Sequence, residues 1–194
     1  MLNQSLNIAQ ISDSHLFADA EGKHCGQNVF QNLKRVLADL AKTDIDLVIF
    51  TGDLTQDHSI QSYQHFNQLV IDSDIKAPVY VLCGNHDDPK DMYVQLSDER
   101  IKFNKVIEHH NWQILLLNSK GDTPAGIVSQ DEFDWLNTAI SKNKMQIIFM
   151  HHHPEDIGFF IDRHGLQNQQ EFWQCINSHP SIKTIACGHV HRGT

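Results

Sequence analysis

Apolar residues fall into short runs separated by stretches of helical periodicity. The runs at residues 6–11, 47–50 and 79–83 end in polar clusters, Ser12-Asp13, Thr51-Gly52-Asp53 and Gly84-Asn85-His86-Asp87. Such short runs predict strands, and the apolar positions between them recur every three or four residues: Val29, Leu33, Val36, Leu37 and Leu40, then Tyr63, Phe66 and Val70. That spacing predicts helices covering a sheet. Pro78 opens the third run, where its missing donor is tolerated. In the second half, strands are predicted at 105–109 and 113–117, joined as a hairpin through His110-Asn111-Trp112, and again at 146–150 and 183–187. Helices are predicted at 129–141, with Ser129 and Glu132 as a capping box, and at 168–177. His151-His152-His153-Pro154 and Gly188-His189-Val190-His191 follow the last two runs. Five strand ends carrying five polar clusters predict an α/β enzyme whose site gathers at the carboxyl edge of its sheet.

Composition narrows the class. A chain of 194 residues with 40% hydrophobic content and five prolines is a globule, expected as a single domain over 1–194 that buries roughly 70% of its unfolded surface. A net charge of -9, from 15 basic and 24 acidic residues, argues against sustained binding of a nucleic-acid polymer. Cys25, Cys83, Cys175 and Cys187 form no CxxC pair, so neither a zinc knuckle nor a dense disulfide framework is expected. Residues 1–13 lack a basic start followed by an apolar run, and no segment approaches the ~20 apolar residues of a membrane span. The expectation is a soluble cytoplasmic protein without a membrane partner. Fourteen histidines exceed what a core of this size needs.

Position gives several of those histidines a role. Asp13 and His15 are two residues apart, as are His189 and His191, and an extended backbone puts such residues on one face, where both reach one cation. Asp53 follows a strand and can bridge two ions about 3.5–4 Å apart, the separation that activates water for displacement at phosphorus. Asn85, His86 and Asp87 offer an amide, an imidazole and a carboxylate together. Either His pair alone suits a polar loop equally well. Their conjunction points to metal-assisted hydrolysis.

Asp13-Ser14-His15, Gly52-Asp53, Gly84-Asn85-His86-Asp87, His152-His153-Pro154 and Gly188-His189-Val190-His191 resemble, in order, the five signature blocks of the calcineurin-like metallophosphoesterases. Residues 11–17, the 151–154 run and 162–168 look closest to bacterial class III 3',5'-cyclic AMP phosphodiesterases. The resemblance implies a four-layer αββα sandwich, here lacking its C-terminal strands and so C-terminally shortened. It implies one metal held by Asp13, His15, Asp53 and His191, and another by Asp53, Asn85, His152 and His189. His151 and His153 compete with His152, and spacing does not choose among them. His86 is implied as the catalytic group at the leaving oxygen, with Asp87 able to orient its other nitrogen. His15, Asp53, Asn85, His86 and His191 are implied to contact substrate.

The cofactors implied are two divalent ions, iron or manganese first, with zinc, cobalt or magnesium as substitutes; a nitrogen and oxygen donor set without thiolate suits iron, manganese, cobalt or zinc better than calcium. The implied reaction is hydrolysis of cyclic AMP to 5'-AMP by a metal-bridging hydroxide. Alternatives are a broader phosphodiesterase acting on glycerophosphodiesters or 2',3'-cyclic nucleotides, a phosphomonoesterase, and a non-catalytic metal-binding scaffold. The partner is a small phosphodiester, and relatives suggest a homodimer. Phe17, His24, Asn28, Phe159, Phe160, Arg163, His164 and Asn168 are candidate rim residues.

Overall fold

The computed structural model describes residues 5–191, which fold as two compact units: residues up to 81 with 86–103, and 82–85 with 104 onward. The first contains strand β1 (Ile8–Ile11), a small antiparallel hairpin of β2 (Lys23–His24) and β3 (Gln27–Asn28), and helix α1 (Val29–Leu40). It continues with β4 (Leu47–Thr51), α2 (Ile60–Asp72), β5 (Val79–Leu82), α3 (Pro89–Gln95) and β6 (Ile101–Lys102). The sheet order is β1-β4-β5-β6, with β1 parallel to β4 and β5 parallel to β6.

Strand β4 is buried at all five positions, as a central parallel strand flanked on both faces requires. Asn28 caps α1 by accepting from the Gln31 N–H, and Ser59 caps α2 through the Ser62 N–H. Each helix turns its apolar stripe inward, Leu33 and Leu37 from α1 and Tyr63, Phe66, Leu69 and Val70 from α2. Phe66 meets Phe50 of β4 edge to face at 4.7 Å. The carbonyls of Val70, Ser73 and Ile75, at and beyond the end of α2, accept from the Arg100 guanidinium, which Asp98 holds in turn. Helix α3 and strand β6 were not expected from periodicity. The signal for α3 is the pair Asp88-Pro89: Asp88 accepts from the Lys90 and Asp91 N–H groups and Pro89 starts the helix.

The second unit has β7 (Val106–His109), β8 (Trp112–Leu116), α4 (Gln130–Ala139), β9 (Met145–Met150), a short 3-10 helix (Phe160–His164), α5 (Gln169–Asn177) and β10 (Ile182–Cys187). Its sheet order is β10-β9-β8-β7, with an antiparallel β7-β8 hairpin and parallel β8-β9 and β9-β10 pairs. Leu115, Leu117, Ile148 and Met150 from the sheet pack with Phe133 and Leu136 of α4 and Phe172 and Ile176 of α5. The expected capping box at Ser129 is half made. Ser129 Oγ accepts from the Glu132 N–H, but the Glu132 carboxylate turns to Lys105 Nζ (2.6 Å) and the Asn118 N–H (3.1 Å), a stronger charged partner than its own helix start.

Candidate metal centre

In the first unit the site residues follow β1, β4 and β5. The segment after β1 runs beside the segment after β4: Asp13 N–H donates to the Gly52 carbonyl (3.0 Å), His15 N–H to that of Asp53 (3.0 Å) and Leu16 N–H to that of Leu54 (2.9 Å). Those bonds hold Asp13, His15 and Asp53 at φ 57°, 45° and 53°. The extended backbone expected at Asp13 and His15 is therefore absent; left-handed turns, locked by the neighbouring segment, bring the side chains together. His15 Nε2 lies 3.7 Å from Asp13 Oδ1 and 3.8 Å from Asp53 Oδ2. His15 and Asp53 are buried, and with His86 they form one of the groups able to hold a cation.

His86 donates its N–H to Asp53 Oδ1 at 2.9 Å, and its Nδ1 lies 3.2 Å from the Gln56 carbonyl. A carbonyl only accepts, so Nδ1 carries a proton and Nε2 is the atom offered for chemistry. Asp87 does not take the expected place behind His86. Its buried carboxylate accepts from the Leu54 N–H (3.0 and 3.3 Å), the Thr55 N–H (3.3 Å) and the Tyr63 hydroxyl (3.4 Å). Asp87 braces the segment that carries Asp53. Two imidazoles that the sequence did not assign to the centre complete this side: His24 stacks on His15 at 4.5 Å and bonds Gln56 Oε1 at 3.0 Å, and His58 stacks on His86 at 5.4 Å.

In the second unit the residues after β5, β8, β9 and β10 converge. His151 Nε2 is 3.1 Å from Asn85 Oδ1 and 3.1 Å from His189 Nδ1. His152, the ligand implied by the resemblance, instead sets Nδ1 2.9 Å from Ser119 Oγ and Nε2 3.2 Å from the Pro124 carbonyl. Gly126 lies against this ring so closely that a Cβ there would stand 2.4 Å from His152 Cγ. Of the run, His151 is the side chain bonded to Asn85, while the rings of both His151 and His152 flank His189, at 4.9 and 4.8 Å between centroids. His152 stays close enough for one of its ring nitrogens to belong to the same group of three buried histidines. Lys120 Nζ donates to the Asn85 carbonyl at 2.9 Å, a support thirty-five residues away that no local pattern announces.

His153 lies 3.2 Å from Asp162 Oδ1. That carboxyl is held below its usual range by N–H groups, that of Ile157 foremost, with burial opposing and Phe159, His153 and Gly158 adding. His191 is exposed and, like His189, left-handed, at φ 52° and 69°. Eight non-glycine residues have positive φ among the described residues, and five are implied ligands: Asp13, His15, Asp53, His189 and His191. Backbone strain of that kind concentrates at functional sites.

Several rim candidates have structural work. Asn28 caps α1 and donates to the Ala20 carbonyl; Asn168 clamps the Val128 N–H and carbonyl; Phe17 packs under Gly22, where a Cβ would meet it at 2.6 Å. Phe160 and Arg163 are exposed.

The donor sets fit divalent first-row ions: carboxylate oxygens and imidazole in the first unit, an amide oxygen and imidazoles in the second, and thiolate in neither. The family model for calcineurin-like phosphoesterases matches residues 6–193, and the chain belongs to that family. It is 51% identical over 190 residues to the "Probable cyclic nucleotide phosphodiesterase" of Colwellia psychrerythraea, covering 97% of this chain and 72% of the relative. It is 34% identical over 194 residues to the 3',5'-cyclic adenosine monophosphate phosphodiesterase CpdA of Escherichia coli, covering 96% and 70%. A dimetal phosphatase from Danio rerio shares the fold at a TM-score of 0.66 and 14% identity, covering 96% of this chain and 82% of that one. The mixed α/β fold is consistent with the sandwich of this family. The chain is a metal-dependent phosphoesterase whose His/Asp clusters are compatible with a binuclear divalent centre. No helix among the described residues is long and apolar enough to cross a membrane.

Proposed function

We propose that this phosphoesterase hydrolyses 3',5'-cyclic AMP to 5'-AMP. The observation that carries the reading is the 51% identity, across 97% of the chain, to a relative named for cyclic nucleotides, in a chain that keeps both donor sets. Asp13, His15 and Asp53 of the first unit would hold one ion, and Asn85, His151 and His189 of the second the other, with His151 in the place first assigned to His152. Iron or manganese suits these donors. Bound there, the cations would activate water and offset the charge gathering on the phosphoryl oxygens.

The chain's own residues supply the rest. His86 keeps Nδ1–H on the Gln56 carbonyl; with a second proton on Nε2, as the imidazolium, it delivers that proton to the departing ribose 3'-oxygen and returns to the neutral ring. The Asp53 carboxylate fixes the His86 backbone, and Asp87 fixes the turn that carries Asp53. No disulfide joins Cys25, Cys83, Cys175 or Cys187 among the described residues, which supports a cytoplasmic setting. The homodimer implied by the family resemblance is testable by mass measurement in solution.

The deciding experiment measures metal content and assays cyclic AMP, 2',3'-cyclic AMP, a glycerophosphodiester and a phosphomonoester on one preparation. Cyclic AMP should be the best substrate, activity should vanish on chelation and manganese should restore it. Preference for another ester, or unchanged turnover in verified metal-free protein, overturns the reading.

A further inference from the structure

The segment between the histidine run and α5 has no part in the reaction as described. It exposes Ile157 (40%), Phe159 (39%) and Phe160 (63%) within four residues. Apolar surface this concentrated on a loop marks a contact with something. The loop is also tightly held. Asp162 accepts from the Ile157 N–H (3.1 Å) and the Phe159 N–H (2.9 Å), folding the segment back on itself, and reaches His153 Nε2. His153 is buried and stacks on His189 at 5.7 Å, and Gly165 makes room for it: a Cβ there would stand 2.8 Å from His153 Nε2. The rings of Phe159 and Phe160 are 4.6 Å apart, and the Arg163 guanidinium lies 5.9 Å from the Phe160 ring. An unbroken series of contacts therefore runs from the exposed aromatic pair through Asp162 and His153 to His189.

We propose that Phe160, backed by Phe159 and flanked by Arg163, is the stacking platform for the nucleobase of the substrate, with Asp162 as the residue that positions it. The inference rests on the cyclic-nucleotide reading above. The metal donors and His86 account for the phosphate and the leaving oxygen, but nothing among them recognises an uncharged heteroaromatic ring. Such a ring needs an exposed π face, and stacking on an aromatic side chain contributes affinity for any base. Arg163 can add a cation to the same face. Three exposed side chains are far too little surface for a stable protein partner, whereas a single base fits them. Because stacking is tolerant of base identity, adenine and guanine cyclic nucleotides should bind with similar KM.

The test compares cyclic AMP with base-free ribose 3',5'-cyclic phosphate. Phe160→Ala, at a largely exposed position, should raise KM for cyclic AMP about tenfold with kcat within about twofold, and leave KM for the base-free compound unchanged. Phe160→Trp should restore the cyclic AMP value. Asp162→Ala should reproduce the selective rise, which a general structural defect would not, because it would move both substrates. Equal KM for cyclic AMP in Phe160→Ala and the parent, or the same rise with both compounds, overturns the platform. If the parent cleaves neither cyclic compound, the cyclic-nucleotide reading fails separately, and binding of 5'-AMP and ribose 5-phosphate to the metal-loaded protein decides. A selective tenfold loss of 5'-AMP affinity in Phe160→Ala keeps the platform; equal affinity in variant and parent, or no 5'-AMP binding at all, overturns it.

Discussion

The two units reach the same kind of donor cluster with opposite electrostatics. In the first, Asp13 and Asp53 set two carboxylates around His15, with Asp53 buried. In the second, Asn85, His151 and His189 bring only neutral donors together. Like charges held close and away from water destabilise one another until a cation arrives, so the first cluster gains most from metal. The neutral cluster gains less and should give up its ion more readily to a chelator. The brace differs as well. Asp87 secures the first cluster through backbone N–H groups, whereas the second is supported by the side chains of Ser119, on the His152 ring and N–H, and Lys120, on the Asn85 carbonyl.

That contrast can be broken at its strongest point by Asp53→Asn. Turnover should fall on the order of 10³-fold, because several kcal/mol of charge stabilisation depend on the ions it holds, and elemental analysis should show metal lost. Retained metal and rate would mean that the carboxylates do not distinguish the clusters. In the neutral cluster, His151→Ala should cost on the order of 100-fold in activity and lower metal content. His152→Ala should keep its metal but melt several degrees lower, since it removes the ring contacts to Ser119 Oγ and the Pro124 carbonyl. The reverse pattern would return the ligand role to His152.

A third pair separates chemistry from bracing. His86→Ala should reduce kcat about 100-fold with metal and melting temperature retained. Asp87→Ala should lower stability by about 1–3 kcal/mol by stranding the Leu54 and Thr55 N–H groups; an undiminished melting temperature with a lower kcat would instead make Asp87 the residue that orients His86.

The smallest effect contrasts one ion pair from each unit. The Asp98 carboxyl is held below its ordinary range by hydrogen bonds from the Arg100 side chain, with burial opposing and the Arg100 N–H and charge adding. A lowered pKa contributes stability above the ordinary carboxylate value that is lost as pH falls through the lowered one. Asp98→Asn should therefore lower the melting temperature near pH 7, and the gap to the parent should close in acid. Glu108, drawn down by Lys144 but about half exposed, should show a smaller gap as Glu108→Gln. Equal gaps, or a gap that widens in acid, would contradict the assignment.

Periodicity located the two sheets because their signal is local: β4 and β9 are apolar runs, and α1, α2, α4 and α5 carry inward stripes over them. It missed α3 and the 3-10 helix, which are too short to show a period and are set by Asp88-Pro89 and by Asp162. The site was legible as residue types: every block that resembled the family lies after a strand, where chain direction delivers side chains to one edge of a sheet.

The sequence by itself determined the class of chemistry, since oxygen and nitrogen donors without thiolate, placed after strands, already define hydrolytic metal binding. Only the tertiary structure decided among neighbours. His151, His152 and His153 are equivalent in sequence and all three rings lie against His189, yet Asn85 bonds the first, Ser119 and Pro124 hold the second and Asp162 takes the third. Asp87 likewise turned from His86 to the Leu54 and Thr55 N–H groups. The physical reason is common to these cases: adjacent residues leave the backbone in different directions once it departs from a strand, and partners from nine to sixty-six residues away determine which polar atoms each one meets.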